Sequence, residues 1–141
     1  MNVYFEIDEL GTQPTKAHPS DAGWDLYASR DTAIPPDPAQ VEMVHTNVKL
    51  ALPADWFGLL MGRSSSMRKY GLMVVNSVID TDYRGEILIQ IVNFGRDWHE
   101  VKVGDRLAQL IILPVPKLEW IRVARVPNSV RGEQGFGSSG R

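Results

Sequence analysis

The chain has no cysteine in its 141 residues. That excludes a disulfide framework, a thiolate zinc site and a cysteine nucleophile. Its three histidines, His18, His45 and His99, stand far apart without ligand spacing, so no zinc site is expected. No apolar run approaches the ~20 residues of a membrane span, and the opening MNVYFEIDEL carries acids where a secretory leader carries bases. Neither sign of charge dominates. Fifteen Lys and Arg face seventeen Asp and Glu, a formal charge of −2 that offers no general attraction to nucleic acid or anionic membrane. Also missing are GxxxxGKS/T, a GxGxxG between strand and helix, and GxSxG, so neither the usual nucleotide loops nor a serine triad is expected. What remains is a soluble, intracellular and cytoplasmic single domain with no stable nucleic-acid partner and no membrane partner.

What is present reads mostly as strands. Apolar residues make up 43% and charged residues 23%, which is globular usage and rules out a wholly disordered chain. Val3, Phe5 and Ile7 alternate with polar neighbours, the period of a half-buried strand. A short strand is expected around Asp25–Ala28. Val41, Met43 and His45, then Val48, Leu50 and Leu52, predict two further segments. Trp56–Met61, Leu72–Val75, Glu86–Asn93, Arg106–Leu113 and Trp120–Val126 complete the set, and Pro35, Pro36 and Pro38 forbid regular structure between strands. One short helix is expected, capped within Ser64–Ser66, basic at Arg68 and Lys69, and closed by Gly71. Many short strands between Gly and Pro turns favour an all-β sandwich or barrel. The core is expected over 1–127. Residues 128–141 read as a Gly- and Ser-rich tail, flexible unless something outside it supplies a docking surface.

Five stretches carry candidate chemistry. In DAGWDLYA, Gly23 permits a close backbone, and Asp25 either fixes a metal-bound water or sugar hydroxyl, or holds turn N–H groups. In GRSSSMRKYG, Arg63 can fork onto phosphate oxygens and Ser64 and Ser65 add hydroxyls beside a helix start; the plain alternative is a capped helix with a solvated arginine. NSVIDTDYRGE reads as a hairpin offering Asp80 as a general base and the ring of Tyr83 to a sugar, or one whose acids merely decorate its turn. In GDRLAQL, Gln109 places an amide on an otherwise apolar strand, a weak signal alone. In RGEQGFGSSG, Arg131, Phe136 and Ser138 sit on a Gly scaffold that can close over an anionic, planar ligand.

In order and spacing these stretches resemble the five motifs of the trimeric dUTPases, the dUTP nucleotidohydrolases, over nearly the whole chain. VIDTDYRGE and RGEQGFGSSG are the specific ones; DAGWDLYA, RSSSMRKYGL and GDRLAQLI gain weight from their order. The resemblance implies a β-clip or jelly-roll fold with one short helix and a flexible C-terminal tail, assembled as a homotrimer with shared active sites. It implies hydrolysis of dUTP to dUMP and pyrophosphate with Mg2+, which limits uracil in DNA and supplies dUMP for dTMP synthesis. By the same resemblance, Asp80 activates water for attack at the α-phosphorus and Tyr83 lies under the deoxyribose. Asn76, Ser77, Val78, Ile79 and Leu88 read the uracil edge. Arg63, Ser64, Ser65 and Gln109 hold phosphates, and Asp25 meets the magnesium through water, the metal being held mainly by substrate phosphates. Phe136 stacks on uracil as the tail closes, with Arg131, Gly137 and Ser138 at the phosphates.

The sequence departs from the family's pattern at three places. Gly62 stands where Pro usually precedes the arginine, and Ser65 where Gly often follows the arginine–serine pair. Ser77-Val78-Ile79-Asp80 replaces G-x-I-D, in a connection that looks two residues shorter than NSPGxID. RSSSMRKYGL also resembles the homologous dCTP deaminases. Those enzymes need a glutamate where this chain has Gln90, however, and a neutral amide cannot serve as that base. A catalytically silent nucleotide-binding trimer with a regulatory role is the third reading.

Overall fold

The computed structural model describes residues 1–133. Its elements run β1 (Tyr4–Ile7), β2 (Trp24–Tyr27), β3 (Thr32–Ile34), β4 (Glu42–Ala51), β5 (Trp56–Gly62), α1 (Ser64–Tyr70), β6 (Leu72–Val74), β7 (Ser77–Ile79), β8 (Glu86–Asn93), β9 (His99–Val101) and β10 (Arg106–Pro114). Two four-stranded sheets, ordered β1-β4-β8-β6 and β2-β10-β5-β7, are joined by a small β3-β9 pair, and every pairing is antiparallel. The fold is the expected all-β one with one short helix. No helix among the described residues is long and apolar enough to cross a membrane.

The core lies between the sheets. Leu26, Leu60, Ala108 and Leu110 face Val44, Val48, Ile87, Ile89 and Ile91, and Ile34 and Val101 of the small pair close one end. Each fully buried branched aliphatic contributes about 1.5–3 kcal/mol relative to exposure. The isoleucines of β8 alternate with half-buried neighbours, which gives that strand one face in the core.

Several local expectations change. Residues 41–52 hold one long strand, not two segments: Val44, Thr46, Val48 and Leu50 face inward, while Val41 and Met43 are exposed. Thr46 hides the period from sequence because it is a hydroxyl in a core position, satisfied by donating to the Ile87 carbonyl at 2.6 Å. β1 is not half-buried; it is an edge strand exposed along its length. The helix has Arg63 at its N-cap with no side-chain cap bond, so the serines do not cap it. Gly71 does close it, in the left-handed region at φ 67°, where an added Cβ would lie 3.0 Å from the Gly95 backbone nitrogen. The NSVIDTDYRGE stretch is not a hairpin. β7 pairs with β5 in one sheet and β8 with β4 and β6 in the other, so residues 80–85 form a crossover between sheets. Trp120–Val126 joins no sheet, and Leu118, Trp120, Ile121 and Val126 are all strongly exposed, Trp120 at 95%.

Candidate active site

Two separate places on the protomer gather the candidate residues. The first is where β2, β10 and β5 run side by side. Their register sets Gln109 opposite Asp25 on one flank and opposite Met61 on the other. Asp25 points inward, its side chain only 12% exposed, and two guanidinium groups meet it. Arg63 Nε lies 3.2 Å from Oδ1 and Arg106 Nη1 lies 3.3 Å from Oδ2. Arg63 Nη1 also donates to the Arg106 carbonyl at 3.1 Å, which ties the start of the helix to β10. Ala17, Asp21, Gly23, Asp25, Arg63, Ser64 and Gln109 line a polar cavity of about 220 Å³ here. Gly23 leaves room for the Gln109 side chain, since an added Cβ would lie 3.0 Å from the Cβ of Gln109 and closer still to its amide, which would have to move. The Gln109 amide donates to the Gly62 carbonyl at 3.4 Å.

This end offers donors to an anion. Arg63 brings a guanidinium to the cavity wall beside the exposed hydroxyls of Ser64 and Ser65, donors of the kind that meet phosphate oxygens, while Asp25 and Asp21 balance the charge of Arg63 and Arg106. Ser66, the third serine of the run, is buried and structural, with its hydroxyl 3.4 Å from the Leu107 carbonyl. Arg106 was missed by sequence reasoning. The available signal was its place in GDRLAQL, at the head of the strand that carries Gln109.

The second place is the crossover. Asp80 follows the last residue of β7 and is exposed. Its carbonyl accepts the Tyr83 N–H at 3.1 Å, and Thr81 anchors the turn by donating its hydroxyl to the Trp56 carbonyl at 2.6 Å. The Arg84 guanidinium donates to the Thr81 and Tyr83 carbonyls at 2.8 and 2.9 Å, and the Tyr83 phenol donates to the Glu86 carbonyl at 2.9 Å. The turn is thus held mainly by its own side chains bonding to backbone carbonyls, and among the described residues the Asp80 carboxylate makes no ion pair. Asn76 lies just before β7, and Ser77, Val78 and Ile79 form it, opposite Leu60, Leu59 and Gly58. β7 is an edge strand, so its outward N–H and C=O groups have no ladder partner and can read another molecule's hydrogen-bonding edge. Leu88 sits in β8 opposite His45, half-buried.

The protomer therefore brings Asp25, Arg63, Ser64 and Gln109 to one cavity, and Asp80 and Tyr83 are not among its lining residues. Arg131 lies exposed beyond the last sheet, whereas Phe136, Gly137 and Ser138 fall outside the described residues. A larger cleft of about 550 Å³ runs beneath β1, between Val3, Phe5, Trp24, Leu50 and Ile112, and no Asp, Glu, Lys, Arg or His side chain lines it. No cluster of three metal-ligating side chains occurs among the described residues.

The protomer is an antiparallel β-sandwich with a polar pocket on one sheet, where arginines meet carboxylates beside serine hydroxyls, and an open carboxylate on a crossover between the sheets. Comparison with known proteins narrows the class. The dUTPase family model matches residues 10–140. Deoxyuridine 5′-triphosphate nucleotidohydrolase of Leifsonia xyli is 42% identical over 130 residues, covering 90% of this chain and 84% of its own length. The protein of the same name from Tropheryma whipplei is 43% identical over 136 residues, covering 93% and 90%. The solved dUTPase of Staphylococcus bacteriophage 80alpha, determined with dUPNHPP, superposes with a TM-score of 0.91 at 26% identity over 99% of both chains. The chain belongs to the dUTPase family.

Proposed function

We propose that this protein hydrolyses dUTP to dUMP and pyrophosphate, and that it does so as a homotrimer with shared sites. The observation that carries the reading is the division of labour between two carboxylates. Asp25 is held by two arginines at the anion pocket, and Asp80 stands open to solvent on the crossover. In this reading Asp80 accepts a proton from the water that attacks the α-phosphorus, and pyrophosphate leaves into the charge of Arg63 and the hydroxyls of Ser64 and Ser65. Tyr83 lies under the deoxyribose, where a 2′-hydroxyl collides with the ring. The outward backbone of Asn76–Ile79, with Leu88, reads uracil by hydrogen-bond polarity, the kind of contact that rejects cytosine strongly. Arg131, Phe136, Gly137 and Ser138 close over the base and phosphates, excluding water at an ordering cost.

A hard cation takes oxygen ligands, and the pocket offers the carboxylates of Asp25, engaged by arginines, and Asp21, which accepts the His18 N–H, so Mg2+ would be held mainly by the substrate phosphates, with Asp25 meeting it through water. Bound there, Mg2+ supplies charge neutralisation of the leaving pyrophosphate.

Trimer assembly is supported by two features. The pocket and the Asp80 crossover lie in separate places on one protomer, so a neighbouring copy completes each site. Residues 115–127 also expose Leu118, Trp120, Ile121, Val123 and Val126 in a strip of the kind that marks a protein contact. A cytoplasmic location belongs to the same reading.

Product analysis with Mg2+ and separate dUTP, dCTP, dTTP and UTP is the test. Pyrophosphate and dUMP from dUTP alone supports the reading. Ammonia and dUTP from dCTP would show that Gln90 does not prevent deamination. Bound dUTP with no product from any nucleotide would make the protein a nucleotide sensor.

A further inference from the structure

The structure assigns Glu86 a role as a positioning residue for the hydrolytic site: its carboxylate clips a bulge in β4 and so fixes the carbonyl from which the Tyr83 phenol hangs. This rests on the reading that Tyr83 carries the sugar.

The β4–β8 ladder is irregular between His45 and Lys49. His45 pairs with Leu88 and Lys49 with Glu86, so Thr46, Asn47 and Val48 stand against Ile87 alone. A bulge leaves backbone donors without ladder partners, and these sit at the edge of the core, where an unsatisfied donor is costly. Glu86 supplies the acceptor. Its Oε1 takes the Thr46 N–H at 3.1 Å and the Asn47 N–H at 2.8 Å, and its Oε2 lies 3.0 Å from His45 Nδ1. Thr46 completes the set, accepting the Val48 N–H at 3.2 Å and donating to the Ile87 carbonyl. Asn47 can sit at the bend because it holds φ 53°, a left-handed conformation that asparagine tolerates better than most residues. Its side chain is pinned from both sides, donating to Asp8 at 2.7 Å and accepting the Ser29 hydroxyl at 3.0 Å.

The other end of the same residue faces the site. The Glu86 carbonyl accepts the Tyr83 phenol at 2.9 Å, with the ring folded over Gly85, where no side chain could fit. Tyr83 in turn bonds through its N–H to the Asp80 carbonyl. A rigid link of four residues thus runs from the β4 bulge through Glu86 and Tyr83 to Asp80. If the clip opens, the first residue of β8 keeps only its ladder pairing with Lys49, beside a bulge that is no longer fixed, and the ring that discriminates sugars has a looser backstop.

The test uses Glu86→Gln, Glu86→Asp and Glu86→Ala in the full-length protein, with Asn93→Ala as control. Asn93 is buried at the opposite end of β8 and holds the following loop by donating to the Ile34 and Asp97 carbonyls, so its loss destabilises the same strand away from the site. The readout is the ratio of kcat/KM for dUTP to that for UTP, beside thermal stability. Glu86→Gln keeps an acceptor for the two N–H groups and is expected to retain the ratio within about twofold. Glu86→Asp withdraws the carboxylate by one methylene and Glu86→Ala removes it; both are expected to lower the ratio by about tenfold, a loss of about 1.4 kcal/mol of discrimination. Asn93→Ala is expected to lower Tm and leave the ratio unchanged. Should Glu86→Ala fail to fold, Glu86→Asp carries the decision. A folded Glu86→Asp or Glu86→Ala with the parent ratio would overturn the inference, as would an equal loss of ratio in Asn93→Ala. A parent protein inert towards dUTP would instead overturn the functional reading on which it rests.

Discussion

Asp25 and Asp80 are the same side chain in opposite settings. Asp25 lies within a sheet, almost covered, with an arginine on each oxygen; Asp80 lies at the start of a crossover, exposed, on a turn held by the side chains of Thr81, Tyr83 and Arg84 bonding to backbone carbonyls. In the proposed reaction the two tasks divide along the same line: a carboxylate with a cation on each oxygen organises charge, and one that stands open on a fixed turn can face a water.

The largest expected effect removes the open member. Asp80→Asn keeps size and polarity but deletes the proposed base, and turnover of dUTP is expected to fall by about 10³-fold, within the usual range for a lost general base. Binding of a non-hydrolysable dUTP analogue, followed by calorimetry, is expected to change little. Retained turnover would move the base role to Asp82, the next acid along the crossover.

Removing the paired member is expected to do less to the chemistry and more to the framework. Asp25→Asn leaves Arg63 and Arg106 facing each other with no charge between them, so kcat/KM is expected to fall by about 10- to 100-fold. Half-saturation by Mg2+ is expected to rise, and Tm to drop. Titration of activity with Mg2+ checks the first, and a thermal scan the second. If Asp25→Asn matched Asp80→Asn in kcat with unchanged metal dependence, the contrast between the two acids would collapse.

How much of this contrast was legible in the sequence follows from how local each feature is. The all-β character, the short helix and its closure by Gly71 are written in alternation and punctuation, and the structure has them. The pocket was half legible: Arg63, Ser64 and Gln109 were singled out, but their meeting with Asp25 depends on the register of β10 between β2 and β5, which pairs residues more than forty positions apart. Arg106 stayed hidden for the same reason. Asn76–Glu86 was misread as a hairpin because its turn residues are local, while the partners of β7 and β8 are not. Trp120–Val126 is rich in the β-branched and aromatic residues that strands favour, yet that preference reports what side chains tolerate and not whether a ladder partner lies beside them. The first segment of β4 was put out of phase by the buried hydroxyl of Thr46.

A smaller change sharpens the comparison at the pocket without touching either acid. Gly23→Ala would place a methyl group against the Gln109 side chain, whose amide must then swing out of the cavity. The amide is the flexible end of a long side chain, so the fold is expected to survive with Tm nearly unchanged. KM for dUTP is expected to rise by about fivefold with little change in kcat, the pattern for loss of a contact made equally in ground and transition states. A comparable fall in kcat would show that Gln109 acts on the leaving pyrophosphate.

Glu86 stands between the two extremes, and its smallest effect is the most diagnostic. Burial pushes its carboxyl upward more than any other single influence. Against it stand the Asn47 N–H, the His45 ring and the Thr46 N–H, which together hold the group below its ordinary value of 4.5. A carboxyl lowered on folding stabilises the protein fully above the unfolded value, and that contribution is lost as pH falls towards the folded one. Thermal scans between pH 6 and 3 are therefore expected to show the parent losing stability on the acid side. Glu86→Gln should lose less over that interval, because its amide has no proton to take up. Asp8 and Asp31 are lowered too, by hydrogen bonds at fully exposed positions where solvent screening leaves little to lose, so they mask little of the difference. The gap in Tm between parent and variant should narrow with acid; a gap constant across the range would mean the clip works by packing alone and not by charge.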